Sequence, residues 1–172
     1  STAADSTPLA VACTTDGGAI VSGLVATATA TMQGVTPIIP SIGGADVFAA
    51  KLDSNGNISW WTNLGSAGAD ESRYSVLATK DGGYVVAVIA QTAVSNLGGM
   101  SPILAYTPTN WDSMVVKLTS TGTVSWYTFL GGGAGAFRTI GGMAEAPDGS
   151  LGIVMSPNSA IPTLNSQTPA NG

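Results

Sequence analysis

"KLDSNGNISWW" occupies Lys51–Trp61, and "KLTSTGTVSWY" occupies Lys117–Tyr127. Both stretches keep Lys-Leu, a glycine at one place (Gly56, Gly122) and a tryptophan four residues beyond it (Trp60, Trp126). Each reads as a β-hairpin. Strand-like arms such as "VFAAKL" and "ISWWTNL" flank "DSNG", whose glycine can take the positive φ of a tight turn. Working outward, the first copy extends over Asp46–Gly65 and the second over Asp112–Gly131. These are the Lys-Leu hairpins.

A second kind of unit appears three times, at Leu9–Leu24, Tyr74–Ile89 and Gly141–Ser156. Each centres on Asp-Gly, at Asp16, Asp81 and Asp148, spaced 65 and 67 residues apart. Strand-like arms, "SVLAT" and "YVVAVIA" in the second copy, make these Asp-Gly hairpins. The two kinds alternate along the chain, and such self-similarity marks a repeat architecture. No segment carries a helical period bounded by caps. Two hairpins per repeat give four antiparallel strands, the content of one β-propeller blade. The fold class expected is therefore all-β: antiparallel, propeller-blade-like repeats, about two and a half blades, with no substantial helix. The whole chain, 1–172, reads as one repeat domain. It divides into a half-blade over 1–25, repeats over 46–90 and 112–156, long connections over 26–45 and 91–111, and a tail over 157–172. The connections are nearly uncharged yet hold Ile38, Ile39, Ile103, Leu104 and Tyr106. Loops of this length without structure are uncommon, so these are expected to pack on their own blade or on a neighbouring subunit.

The pattern D-x-x-x-x-K-L-x-x-x-G-x-x-x-W…L-G followed by D-G-G-Y-V-V resembles the β-propeller repeats of bacterial secreted and cell-surface proteins. Asp46, Lys51, Leu52, Asp53, Gly56 and Trp60 match in one copy. Asp112, Lys117, Leu118, Gly122, Trp126, Leu130, Gly131 and Gly132 match in the other. The resemblance covers nearly all of the chain and implies fold and an extracellular setting, not an activity. The acids that usually follow L-G-G in the family are approached only by "ADES", Ala69–Ser72.

Composition narrows the function classes. Charged residues are 9% of the chain, against about 25% in ordinary soluble domains, and the net charge is −5. No basic stretch is present to meet phosphates, so nucleic acid is not an expected partner. Histidine is absent, which removes the commonest general base and transition-metal ligand. No apolar run reaches the ~18 residues of a membrane span. "STAADSTP" at the start, without Met, fits a processed N-terminus. The one cysteine, Cys13, is expected as a buried, inert thiol.

Asp53, Asn55 and Asn57 offer oxygens for calcium, but the glycine falls at the fourth position rather than the sixth, and the second copy, "TSTGT", has no carboxylate. A turn is the expectation. Trp60 and Trp126 recur at one register and are expected to fill the space between sheets. Trp61 and Tyr127 point to the opposite face and are the better candidates for an exposed contact. Lys51 and Lys117 are expected to pair with Asp46 and Asp112 or to face solvent. Asp70, Glu71 and Arg73 form a local charge cluster. Paired carboxylates could serve glycoside chemistry, but the second repeat loses both acids, so a solvated loop is expected. Arg73 and Arg138 are too few for a sialidase-like carboxylate clamp. "LGGGAG", Leu130–Gly135, lies in a β context and does not read as a phosphate loop. "NIS", Asn57–Ser59, is an N-glycosylation triplet.

No catalytic, cofactor-binding or metal-binding residue is assigned, no cofactor is expected, and the chain does not read as an enzyme. The function expected is an extracellular structural protein that self-assembles by strand or edge complementation into a filament or surface layer, with copies of itself as partner. The motive is the odd hairpin: the chain opens inside an Asp-Gly unit and stops where the next Lys-Leu strand would begin. The alternative is a secreted β-propeller module that binds glycans or proteins, with glycans or cell-surface components as partners.

Overall fold

The computed structural model describes residues 6–25, 31–68, 70–104, 111–130 and 138–157. Ten strands and no helix occur among them: β1 (Ser6–Cys13), β2 (Ala19–Val25), β3 (Asp46–Leu52), β4 (Ile58–Leu64), β5 (Glu71–Ala78), β6 (Tyr84–Ala90), β7 (Asp112–Leu118), β8 (Val124–Phe129), β9 (Arg138–Glu145) and β10 (Leu151–Pro157). The protein is all-β and built from antiparallel hairpins, as the repeats imply.

All five hairpins close in one way. The N–H of the first loop residue (Thr14, Asp53, Thr79, Thr119 or Ala146) donates to the carbonyl four residues on, at 2.8–3.0 Å. The glycine between them donates back to the first residue's carbonyl at 3.0–3.1 Å. That glycine (Gly17, Gly56, Gly82, Gly122 or Gly149) has φ between 80° and 86°, a conformation only glycine adopts without strain. Asp-Gly and Asn-Gly in the sequence are therefore turn chemistry.

The hairpins assemble into two four-stranded sheets, β1-β2-β3-β4 and β5-β6-β7-β8, and a two-stranded one, β9-β10. β2 pairs with β3 from Ala19↔Leu52 to Val25↔Asp46, and β6 pairs with β7 from Tyr84↔Leu118 to Ala90↔Asp112. The first two Asp-Gly hairpins are thus each extended by the Lys-Leu hairpin that follows, across the long connection. The grouping differs from the one expected. Residues 6–25 belong to a complete sheet rather than to a half-blade, and the hairpin left at two strands among the described residues is β9–β10. An alternating repeat can be cut in either phase, and the short link 65–70 turns out to be the crossing between sheets.

The long connections are ordered where described. Met32–Val35 and Leu97–Met100 each make a two-residue turn with reciprocal backbone bonds, and both central residues have positive φ (Gln33 and Gly34; Gly98 and Gly99). The chain then runs along the outer edge of its own sheet. Ile38 N–H donates to the Trp61 carbonyl at 2.9 Å, and Asn63 N–H donates to the Ile39 carbonyl at 3.2 Å. Ile103 N–H donates to the Tyr127 carbonyl at 2.9 Å, and Phe129 N–H donates to the Leu104 carbonyl at 3.4 Å. The outer edges of β4 and β8 are thereby covered, which blunts them as templates for foreign strands.

Successive side chains on a strand face opposite ways, so every sheet has a leading face, bearing Trp61 or Tyr127, and a trailing face, bearing Trp60 or Trp126. The trailing face of the first sheet (Ile20, Val47, Ala49, Leu64) packs on the leading face of the second (Val86, Met114, Val116, Tyr127). The trailing face of the second (Val85, Ala87, Val115) packs on Ile140, Met143, Leu151 and Ile153 of β9–β10. The second sheet is covered on both sides, so all seven residues of β6 and all seven of β7 are buried. The first strands run together at the stacking interfaces: β5 packs against β1 and β2, and β9 packs against β5.

Candidate functional site

Two features stand out, a set of lysine–aspartate pairs at the turn end of the sheets and two outer faces that are open in part among the described residues, one at β1 and one at β9–β10. Pairing of β2 with β3 sets Lys51 opposite Ile20, beside the Asp-Gly turn. Lys51 Nζ meets Asp16 Oδ2 at 2.9 Å and donates to the Leu52 carbonyl at 2.8 Å. Lys117 Nζ meets Asp81 Oδ1 at 2.7 Å and also donates to the Thr79 hydroxyl. The expected partners, Asp46 and Asp112, are not the ones used, because the sheet pairing carries each lysine to the neighbouring hairpin's turn. Both lysines are buried, and the carboxylates supply the compensation that a buried charge needs.

The second glycine of D-G-G belongs to this arrangement. A Cβ on Gly18 would lie 2.1 Å from the Leu52 carbonyl oxygen and 2.6 Å from Lys51 Nζ. On Gly83 it would lie 2.4 Å from the Leu118 oxygen and 2.6 Å from Lys117 Nζ. The third turn reads D-G-S instead. Ser150 donates to Asp148 Oδ1 through both N–H (2.9 Å) and Oγ (2.7 Å), so here the serine, rather than a lysine, meets the turn aspartate.

Electrostatics follow the same division. Hydrogen bonds from Thr14, Lys51 and Gly18 hold Asp16 well below the usual carboxylate range. For Asp81, partial burial pushes upward, but bonds from Lys117, Thr79 and Gly83 together with the lysine charge outweigh it and bring the carboxyl to about 2. Asp148 is lowered chiefly by the Ser150 hydroxyl and N–H.

Between these turns lies a cleft of about 480 Å³ lined by Asp16, Lys51, Trp60, Lys80 and Tyr84, among others. Trp60 lies 5.5 Å from Tyr84, tilted by 56°, and its Nε1 donates to the Ser120 carbonyl at 3.0 Å. Trp60 and Trp126 both pack at inter-sheet layers. Trp61 and Tyr127, the expected exposed pair, are fully buried. Their polar atoms bond to the chain's own connections, Trp61 Nε1 to the Val35 carbonyl at 2.6 Å and Tyr127 Oη to the Val94 carbonyl at 3.0 Å. The connections, not solvent, meet that face.

Asp53 accepts from the N–H groups of Asn55 and Asn57 and from Asn57 Nδ2 at 2.8–3.1 Å, so its oxygens cap its own turn. The Thr119 hydroxyl does the same work in the second copy. Asp70, expected in a solvated loop, is 2% exposed. It accepts from Ser66 N–H (2.5 Å), Ser66 Oγ (2.6 Å) and Gln91 N–H (3.1 Å), and burial pushes its carboxyl up. It is buried because it lies just before β5, where the chain passes from the first sheet to the second. The side chains of Glu71, Arg73 and Arg138, and "LGGGAG" beyond Leu130, lie outside the described residues. No group of three acidic, cysteine or histidine side chains is placed to hold a metal among the described residues. No described helix is long and apolar enough to cross a membrane.

The open parts of these faces are marked by Val11 and Val154, 67% and 70% exposed, the two most exposed large apolar side chains described. Cys13, two residues beyond Val11 on the same leading face, is exposed as well. The expected burial fails because, among the described residues, no strand packs on that side of β1. No protein-family model matches the chain, and no curated protein matches it. What fold and site define is thus a class: an all-β protein of stacked antiparallel sheets that, among the described residues, exposes apolar side chains on its outer sheet faces.

Proposed function

We propose that this chain is an extracellular structural subunit that self-assembles by edge and face complementation into a filament or surface layer. One observation carries the reading. Among the described residues β9–β10 remains two-stranded, while both other hairpins of its sequence type are extended by two further strands. Four-stranded meanders stacked with β1, β5 and β9 at their interfaces support the blade-like reading, and closure of a propeller takes about four to eight blades. Copies that join through such edges and faces close into a ring or propagate without closing. The edge of β10 suits a strand that brings no lysine to the turn, given Ser150. The tail 158–172 has no lysine or arginine, and a neighbour's tail is the donor that fits by β-augmentation. The low charge of the chain, 9%, and the repeat resemblance support an extracellular place.

Light scattering and negative-stain imaging over a concentration series test this. Assembly well above 17.0 kDa is expected, and deletion of 158–172 should weaken it. A monodisperse monomer at high concentration overturns the proposal. The cleft beside Trp60 and Tyr84 favours the second reading, a secreted module that binds glycans or proteins, which predicts a monomer that takes up ligand there.

A further inference from the structure

We propose that copies of this chain stack head to tail, the trailing face of β9–β10 in one copy covered by the β1–β2 side of the first sheet of the next. The inference rests on the self-assembly reading and names the surfaces that meet.

The molecule already contains this contact twice. Sheet one meets sheet two, and sheet two meets β9–β10, always trailing face against leading face. The register makes the equivalent positions unambiguous. On the leading face Val11 pairs with Val21, Val76 with Val86, and Met143 with Ile153. Val76 and Met143 pack into the inter-sheet layers, whereas Val11 is 67% exposed. On the trailing face Ser22, Ala87 and Val154 are equivalent, each six residues beyond its turn aspartate. Ser22 is 0% and Ala87 1% exposed, whereas Val154 is 70% exposed. Among the described residues, one outer sheet face therefore exposes Val11 where the equivalent valine of the next sheet is packed, and the other exposes Val154 where its equivalents are buried.

A second copy is the occupant that continues the series. It brings a leading face of the same construction, its β1 taking on β9–β10 the place that β5 takes on β1 and β2. Neither valine carries charge or an unmet hydrogen bond, so joining them has no polar desolvation cost. Such a contact is heterologous, each copy offering two different surfaces, and it repeats from copy to copy.

The test uses the full chain with V11D and V154D. Both sites are exposed, so each variant should keep the wild-type circular dichroism; the milder V11S and V154S serve if one does not. Each variant alone is expected to be monomeric at concentrations where the wild type assembles. An equimolar mixture should form a one-to-one dimer and nothing larger, because one intact contact survives per pair and both outward ends are blocked. A wild type that assembles while either variant assembles unchanged, or a mixture that stays monomeric, overturns the head-to-tail contact and leaves self-assembly standing. A wild type that stays monomeric removes both.

Discussion

The Asp-Gly-Gly turn shows how a three-residue string can hold two separate demands. Gly82 supplies positive φ, and Gly83 leaves room for the Leu118 carbonyl and the Lys117 ammonium. Gly83→Ala is therefore expected to destabilise by about 1–3 kcal/mol, the usual cost of forcing a backbone apart in a packed site. Ser150→Gly, at the equivalent place in the third turn, should cost far less. Denaturant unfolding of the two variants checks the contrast. The pairs also set a pH response. The Asp81 carboxyl lies at about 2 when folded against an ordinary 3.8. A depressed acid contributes stability above its unfolded pKa and loses it as pH falls toward the folded one. Melting temperature is thus expected to drop between about pH 4 and pH 2, and Asp81→Asn should flatten that decline while lowering stability at neutral pH. The effect is modest, because the Asp81 side chain is 63% exposed and solvent screens it.

At the scale of elements, the long connections behave as parts of the sheets. The Tyr127 hydroxyl donates to Val94, and Val94 and Leu97 are buried in the same layer as Tyr127. Tyr127→Phe should cost about 1 kcal/mol through the lost hydrogen bond to a buried carbonyl. Trp61→Ala should cost about 3–5 kcal/mol, as for other large core truncations, and should expose Met32 and Val35 to proteolysis. Trp60, only partly buried, should cost less on truncation. These differences are read by chemical denaturation. Tryptophans at repeated registers were legible as inter-sheet packing. The burial of their neighbours was not, since alternation tells which face a residue takes but not what covers that face.

For the whole molecule, the question is what meets the two open ends. Cys13 stands on the same face as Val11 and is exposed, which makes it a reporter. Under head-to-tail stacking its thiol should react freely with a maleimide in the monomer and slowly in the assembly. A bulky adduct at Cys13 should also reduce assembly. Equal labelling rates in both states would count against burial of that face. The sequence by itself determined the strands, the turns and the two hairpin types, because glycine at positive φ and alternating burial are local rules. It also held the Asp-to-Lys spacing, 35 and 36 residues, a signal of pairing readable only once the sheet phase is known. The tertiary structure alone decided which hairpins share a sheet, which aspartate each lysine meets and which faces stay open. A periodic chain satisfies its local rules in more than one phase, and only the packing of distant segments against one another selects among them.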